Sequence, residues 1–310
     1  MANAQVRPIR SILTATGLTS ESSGGLLLAA QLSRKLKAPL HAAHVVTTIS
    51  KAHERAFPGI AKKQEAVAAE ELERFATSHN FDGPRSSLHV LTGDLMKALT
   101  ELRYDLKSDL LVIGKFGKGG PKPGGIGSIA TRIVRKFPVS VLVVPPDFRD
   151  KLDTIGVATN LSEDGDWGVV RAAMLAKSLG IKEITLFHTF TVPAGYDHFC
   201  PWDQAVEKMR AVAVEDLEDM KKRLKDKLPP DVAINAVIVE GAATDKIPAL
   251  AEEHKIDILV ISTHARASAV LSLLGHTSEQ LIRSSNCCIW CERNPSLFQG
   301  WFDGIKHLFD

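Results

Sequence analysis

Ser108-Asp-Leu-Leu-Val-Ile-Gly114 returns later in the chain as Ile256-Asp-Ile-Leu-Val-Ile-Ser262. Each apolar core of the run is too short for an amphipathic helix and shows no polar alternation. That is the pattern of a strand buried on both faces of a parallel sheet. On either side, further pairs keep the same order at a nearly constant offset. Ile12-Leu-Thr-Ala-Thr-Gly-Leu-Thr19 matches Ile155-Gly-Val-Ala-Thr-Asn-Leu-Ser162, His44-Val45 matches His188-Thr189, and Leu91-Thr-Gly-Asp94 matches Val239-Glu-Gly-Ala242. A period this long is duplication of a whole domain and not a solenoid repeat.

Within the first copy, strands are expected at Ser11–Thr16, Leu40–Val46, Ser87–Leu91, Leu110–Ile113 and Val139–Val144. Helices are expected near Gly24–Leu36, Lys62–Ser78, Asp94–Leu102 and Ser128–Phe137. The second copy repeats the alternation, with a long charged helix around Asp203–Leu228 whose apolar stripe runs through Val206, Met209, Val212 or Ala213, Leu217 and Met220. Strands alternating with helices give an α/β fold: two tandem doubly wound domains, each a five-stranded parallel sheet with helices on both faces. Pro145-Pro-Asp-Phe148 ends the last strand of the first copy and serves as linker. The expected boundaries are 1–148 for the first domain, 149–294 for the second and 295–310 for an amphipathic tail.

Composition agrees. A chain of 310 residues with 45% hydrophobic and 24% charged residues is ordinary globular material with room for two cores. No apolar run reaches the ~18 residues of a membrane span, and the N-terminal segment lacks an apolar signal core. The four cysteines do not form a secreted disulfide framework, so a cytoplasmic location is expected. The overall charge of +2 hides a basic first half, net about +8, and an acidic second half, net about −6. The basic residues are scattered and not interleaved with aromatics, which argues against nucleic acid as a partner.

The chemistry concentrates after the fourth strand of the first copy. Gly114-Lys-Phe-Gly117 is followed after nine residues by Gly127-Ser128, which opens a helix. Gly114 and Gly117 are expected to permit positive φ and let the backbone approach a ligand. Gly127 and Ser128 present amides at the positive pole of the helix dipole, where an anion is held. Loops at the carboxyl ends of strands are where open α/β sheets bind ligands. Lys115, Lys118 and Lys122 surround the loop and either neutralise phosphates or are simply exposed.

Gly-x2-Gly-x9-Gly-Ser after a Val-Ile strand, followed by Pro138-Val-Ser-Val-Leu-Val-Val144, resembles the universal stress protein family. The resemblance covers both halves from first strand to fifth; Ser262-Thr-His-Ala-Arg266, Gly275-His-Thr277 and Glu279-Gln-Leu-Ile-Arg283 carry it in the second. It implies a tandem, UspA-like protein with an adenine nucleotide alpha hydrolase-like fold, acting as a stress-response module. It further implies ATP or a related adenine nucleotide as partner, with Mg2+ only as the nucleotide's companion. On this reading Gly114, Gly117, Gly127 and Ser128 hold phosphates, Ile129 belongs to the same nucleotide site, Val45 lies against the adenine, and Thr16 and Gly17 line the nucleoside side. Two departures matter. Nucleotide-binding members carry an acidic residue where this chain has Gly17 and Asn160. In the second copy Ser262 and Ala265 replace the first two glycines, leaving a degenerate site of Asn160, Ser262, His264, Ala265, Gly275, His276 and Thr277.

The alternative is a ligand-free scaffold acting through dimerisation and its tail, in which Leu297, Phe298, Trp301, Phe302, Ile305, Leu308 and Phe309 fall near helical spacing on one apolar stripe. Hydrolysis is expected to be slow at most, because the loop's neighbours are Lys, Phe, Pro and Gly. Cys288-Ile-Trp-Cys291 has the spacing of a metal or redox pair, yet on a strand residues three apart face opposite ways, so buried packing is expected and no metal site.

Overall fold

The computed structural model describes residues 6–83, 87–117, 120, 125–148, 150–263 and 275–293. The chain divides into two units: Ile9–Asp150, and Lys151–Asp310 together with Met1–Pro8.

The first unit runs β1 (Ile12–Ala15), α1 (Ser20–Leu36), β2 (Leu40–Val46), α2 (Lys51–Ala56), α3 (Ile60–Ser78), β3 (Leu88–Thr92), α4 (Leu95–Leu106), β4 (Leu110–Gly114), α5 (Ser128–Lys136) and β5 (Ser140–Val144). All of its strand pairs are parallel, in the order β3-β2-β1-β4-β5. The runs read as doubly covered are so: Leu110, Leu111, Val112, Val141, Leu142 and Val144 are fully buried. β1 lies between β2 and β4, which makes its carboxyl end the topological switch point of the sheet.

The second unit repeats this with β6 (Ile155–Ala158), α6 (Asp166–Leu179), β7 (Glu183–Phe190), α7 (Trp202–Leu224), β8 (Ala233–Glu240), α8 (Ala243–Glu253), β9 (Ile258–Thr263), α9 (His276–Ser284) and β10 (Cys288–Arg293). Its parallel order is β8-β7-β6-β9-β10. The duplication extends to backbone detail. Leu18 and Leu161 both take the left-handed conformation, at φ 57° and 60°. In both turns the threonine two residues earlier accepts the leucine N–H, Thr16 for Leu18 and Thr159 for Leu161.

Several helix limits differ from the sequence expectation: α3 starts at Ile60, two residues before Lys62, and α4 runs on to Leu106, four past Leu102. α1 starts at Ser20, four residues before Gly24, so the Gly24-Gly25 pair lies inside the helix. It is there for packing: a Cβ on Gly25 would lie 3.0 Å from the Gly114 nitrogen, and one on Gly24 3.0 Å from the Pro145 carbonyl. α2 was not expected; its six residues bury no side chain and carry no periodic apolar signal. α7 ends at Leu224, and of the two candidates Ala213 is buried while Val212 is 48% exposed.

The second unit also encloses a polar cluster. Arg171 Nε donates to Glu292 Oε2 at 2.9 Å, Trp290 Nε1 donates to the same oxygen at 2.7 Å, and Arg171 Nη1 donates to the Arg7 carbonyl at 2.9 Å. Both charged side chains are buried, so their hydrogen bonds are what makes the burial tolerable. Cys288 and Cys291 are buried beside it, and burial pushes the Cys291 thiol up to about 12, where it is inert as a nucleophile.

A candidate anion site at the carboxyl end of the first sheet

The base of the glycine loop is pinned by two backbone bonds. Lys115 N–H donates to the Val144 carbonyl at 2.7 Å, and the Lys115 carbonyl accepts Gly127 N–H at 2.9 Å. The second bond sets Gly127 as the N-cap of α5, at φ −60° and ψ 146°, directly beside the end of β4. Ser128, Ile129 and Ala130 then begin the helix, where N–H groups have no intrahelical acceptor. Ser128 is exposed and Ile129 is 55% exposed, so two of these positions face outward. The helix has no acidic residue in its own first turn and ends in Arg135 and Lys136, both of which suit its dipole.

The expectation of positive φ at Gly114 and Gly117 is not met: the left-handed glycine of the described loop is Gly120, at φ 71°. Gly114 is required for a different reason. A Cβ there would sit 2.9 Å from Ser22 Cα and 3.1 Å from the Glu21 carbonyl, so glycine allows the first turn of α1 to lie against the end of β4. Among the described residues, a Cβ on Gly117 would meet nothing within 4 Å, so no described atom requires glycine there. Gly119, Lys118 and 121–124 lie outside the described residues.

At the turn after β1, where the sequence leads one to expect the nucleoside, Thr16 is buried and its hydroxyl is shared between Ser22 Oγ at 3.1 Å and Leu18 N–H. Thr16 therefore shapes the turn, while Gly17 beside it is exposed. His44 Nδ1–H donates to the Thr16 carbonyl at 2.8 Å and fixes β2 to this turn, with half-buried Val45 next in line. His188 repeats the bond to Thr159 at 3.0 Å. A carboxylate that the sequence reading passed over stands close by. Glu21 Oε1 would lie 3.9 Å from a Cβ on Gly120, and its own backbone N–H with the Thr19 hydroxyl holds it below the usual glutamate range. Its only sequence signal is its place in the first turn of α1.

The second copy fills the same niche with its own side chain. Ser262, at the position of Gly114, accepts Gly168 N–H at 2.9 Å and donates to the Gly165 carbonyl at 3.2 Å. Gly165 stands where the first copy has Ser22, and α6 starts one residue after it, three residues later than α1 by the repeat alignment. Asn160 is likewise engaged, its Oδ1 accepting from both the N–H and the hydroxyl of Ser162. Gly275, His276 and Thr277 are exposed at the start of α9, but Glu279 lies in that first turn, paired with Arg283 at 2.9 Å. A carboxylate there opposes an incoming anion. His264 and Ala265 lie outside the described residues. Among the described residues no group of three or more His, Cys, Asp or Glu is placed to hold a metal ion, and no helix is long and apolar enough to cross a membrane.

A sequence model of the Universal stress protein family matches residues 8–145 and again residues 151–291. The chain belongs to the universal stress protein family. It is a tandem member, and the resemblance read from its glycine loop is correct. A universal stress protein from Methanothermobacter thermautotrophicus is 32% identical over 87 residues, which are 28% of this chain and 59% of that relative. Universal stress protein MJ0577 of Methanocaldococcus jannaschii is 29% identical over 79 residues, 26% of this chain and 47% of the relative. The chain thus spans about half the length of the relatives it matches. At the level of fold, a universal stress protein from Archaeoglobus fulgidus aligns over 92% of this chain and 98% of its own, with TM-score 0.65 and 18% identity. A functionally unknown protein, PA1789 of Pseudomonas aeruginosa, aligns over 94% and 95% with TM-score 0.64 and 16% identity.

Proposed function

We propose that this tandem universal stress protein is a regulatory module that holds an adenine nucleotide, ATP, in its first domain alone. The observation that carries this is the pinned loop. Lys115 takes the Gly127 N–H and seats Gly127 as the N-cap, so the first amides of α5, which have no acceptor within the helix, stand at the switch point of the sheet. The fit is one-sided. Amides and helix pole suit phosphates, whereas Gly17 offers no carboxylate to the nucleoside, so affinity is modest. Glu21 beside the loop favours a nucleotide that arrives with its own Mg2+. The second domain, with Ser262 in the niche and Glu279 at the helix start, serves as a structural partner. Holding, and not turnover, is the role proposed, in the cytoplasm.

Calorimetric titration of the full chain with MgATP tests this. Saturable binding below the millimolar range is expected, abolished by Gly127→Glu and unchanged by the matching Gly275→Glu in the second domain. No binding in that range, or binding indifferent to Gly127→Glu, overturns the proposal.

A further inference from the structure

The connection from β7 to α7 exposes an aromatic cluster. A 3-10 turn at Tyr196–His198 and the start of α7 present Tyr196, Phe199 and Trp202, which are 39%, 85% and 48% exposed. Tyr196 and Phe199 meet edge to face with centroids 6.4 Å apart. Trp202 begins the stripe of α7 that continues through half-buried Val206 and Met209 to buried Ala213, Leu217 and Met220. Rings this large on an open surface mark a docking site.

We propose that the occupant is this chain's own C-terminal segment, residues 298–310, folding as a helix onto Tyr196, Phe199 and Trp202. Position argues for it. The strands of the second unit are parallel, so β10 ends at Arg293 on the same edge of the sheet as the end of β7. The order β7-β6-β9-β10 separates them by three strand spacings, about 14 Å. Residues 294–297, extended, also reach about 14 Å. The segment beyond them has the right chemistry. Phe298, Trp301, Phe302, Ile305 and Phe309 share one helical face, with Asp303, His307 and Asp310 on the other side and Lys306 at its flank. Gly300 and Gly304 disfavour the helix alone, so it forms only where its apolar face is covered. That polar face is not rich in Lys and Arg, unlike helices that lie on anionic lipid.

Cys200, half-buried between Phe199 and Pro201, reports on the cluster. Its alkylation rate is measured by peptide mass spectrometry in the full chain and in a chain lacking residues 296–310. Truncation is expected to speed labelling at least about threefold, and added peptide 296–310 to restore the slow rate. Phe199→Asp and Phe302→Asp, checked by circular dichroism for intact folding, should each label as fast as the truncated chain. Equal rates with and without the tail overturn the proposal. Protection that vanishes on roughly hundredfold dilution assigns the cluster to a second copy and also overturns it. So does tail-dependent binding to phosphatidylcholine/phosphatidylglycerol vesicles while Cys200 labels at one rate throughout.

Discussion

Replacing Gly114 with serine would give the first domain the residue that the second domain carries at the same place, without the surroundings that make it tolerable there. Its Cβ would stand 2.9 Å from Ser22 Cα and 3.1 Å from the Glu21 carbonyl, both backbone atoms of α1 that cannot swing aside. Overpacking of this kind costs ~1–3 kcal/mol. Taking about 2 kcal/mol, the first domain's melting temperature should drop by roughly 4–8 °C. Ser22→Gly alone removes an Oγ bonded to Thr19 O at 2.9 Å and to Thr16 Oγ1 at 3.1 Å, a loss of about 1 kcal/mol. Simple addition predicts about 3 kcal/mol for the double variant. The second domain says otherwise, because its Gly165 lets the first helical turn unwind and Ser262 bond into it. We expect the pair to cost about 2 kcal/mol, a coupling near 1 kcal/mol. The four tryptophans, Trp167, Trp202, Trp290 and Trp301, all lie after residue 150. Their fluorescence follows the second domain, while far-UV circular dichroism follows both, so urea titrations separate the transitions. A double variant as unstable as the sum of the singles would refute the account of the niche, as would a silent Gly114→Ser.

Other outcomes rest on single contacts. His41 and His89 share a bond of 3.2 Å on β2 and β3, and burial holds both below the ordinary value of 6.5, with the neighbouring His41 charge acting the same way on His89. The unfolded chain therefore binds more protons below pH 6.5, and the first domain should lose stability as pH falls from there; His41→Leu with His89→Leu should flatten that slope in acid-dependent melts. Removing one partner of the buried pair, by Arg171→Met or Glu292→Gln, should destabilise the second domain by about 3–5 kcal/mol, read from tryptophan fluorescence in urea. Gly17→Asp should tighten nucleotide binding roughly ten- to a hundredfold, the worth of one charged hydrogen bond, in the same calorimetric titration.

The fold was legible because its signals were redundant. The Leu110–Ile113 and Ile258–Ile261 cores announce buried parallel strands, and the repeat checks each element against a second copy. α2 was not legible, since a short exposed helix leaves no apolar period. The site was half legible. Spacing located Gly127 and Ser128 at a helix start, where local geometry follows from local sequence. It misassigned the reason for Gly114, because the atoms that forbid a side chain there belong to Ser22 and Glu21, far away along the chain. Glu21 and the serine-for-glycine exchange between Ser22/Gly114 and Gly165/Ser262 are tertiary facts of the same kind. They become readable in sequence only once the strand and helix that meet are known.

The bond from Arg171 to the Arg7 carbonyl bears on the order in which the protein is made. Arg7 leaves the ribosome before any strand of either sheet, and Val6 beside it is buried in the second unit. Glu292, which holds Arg171 in place, is translated roughly 15–60 s later at ~5–20 residues per second. The segment around Arg7 must therefore wait, unattached, while an entire domain is synthesised and folds. A proteolytic nick near residue 8 would then be felt first at the far end of the polypeptide.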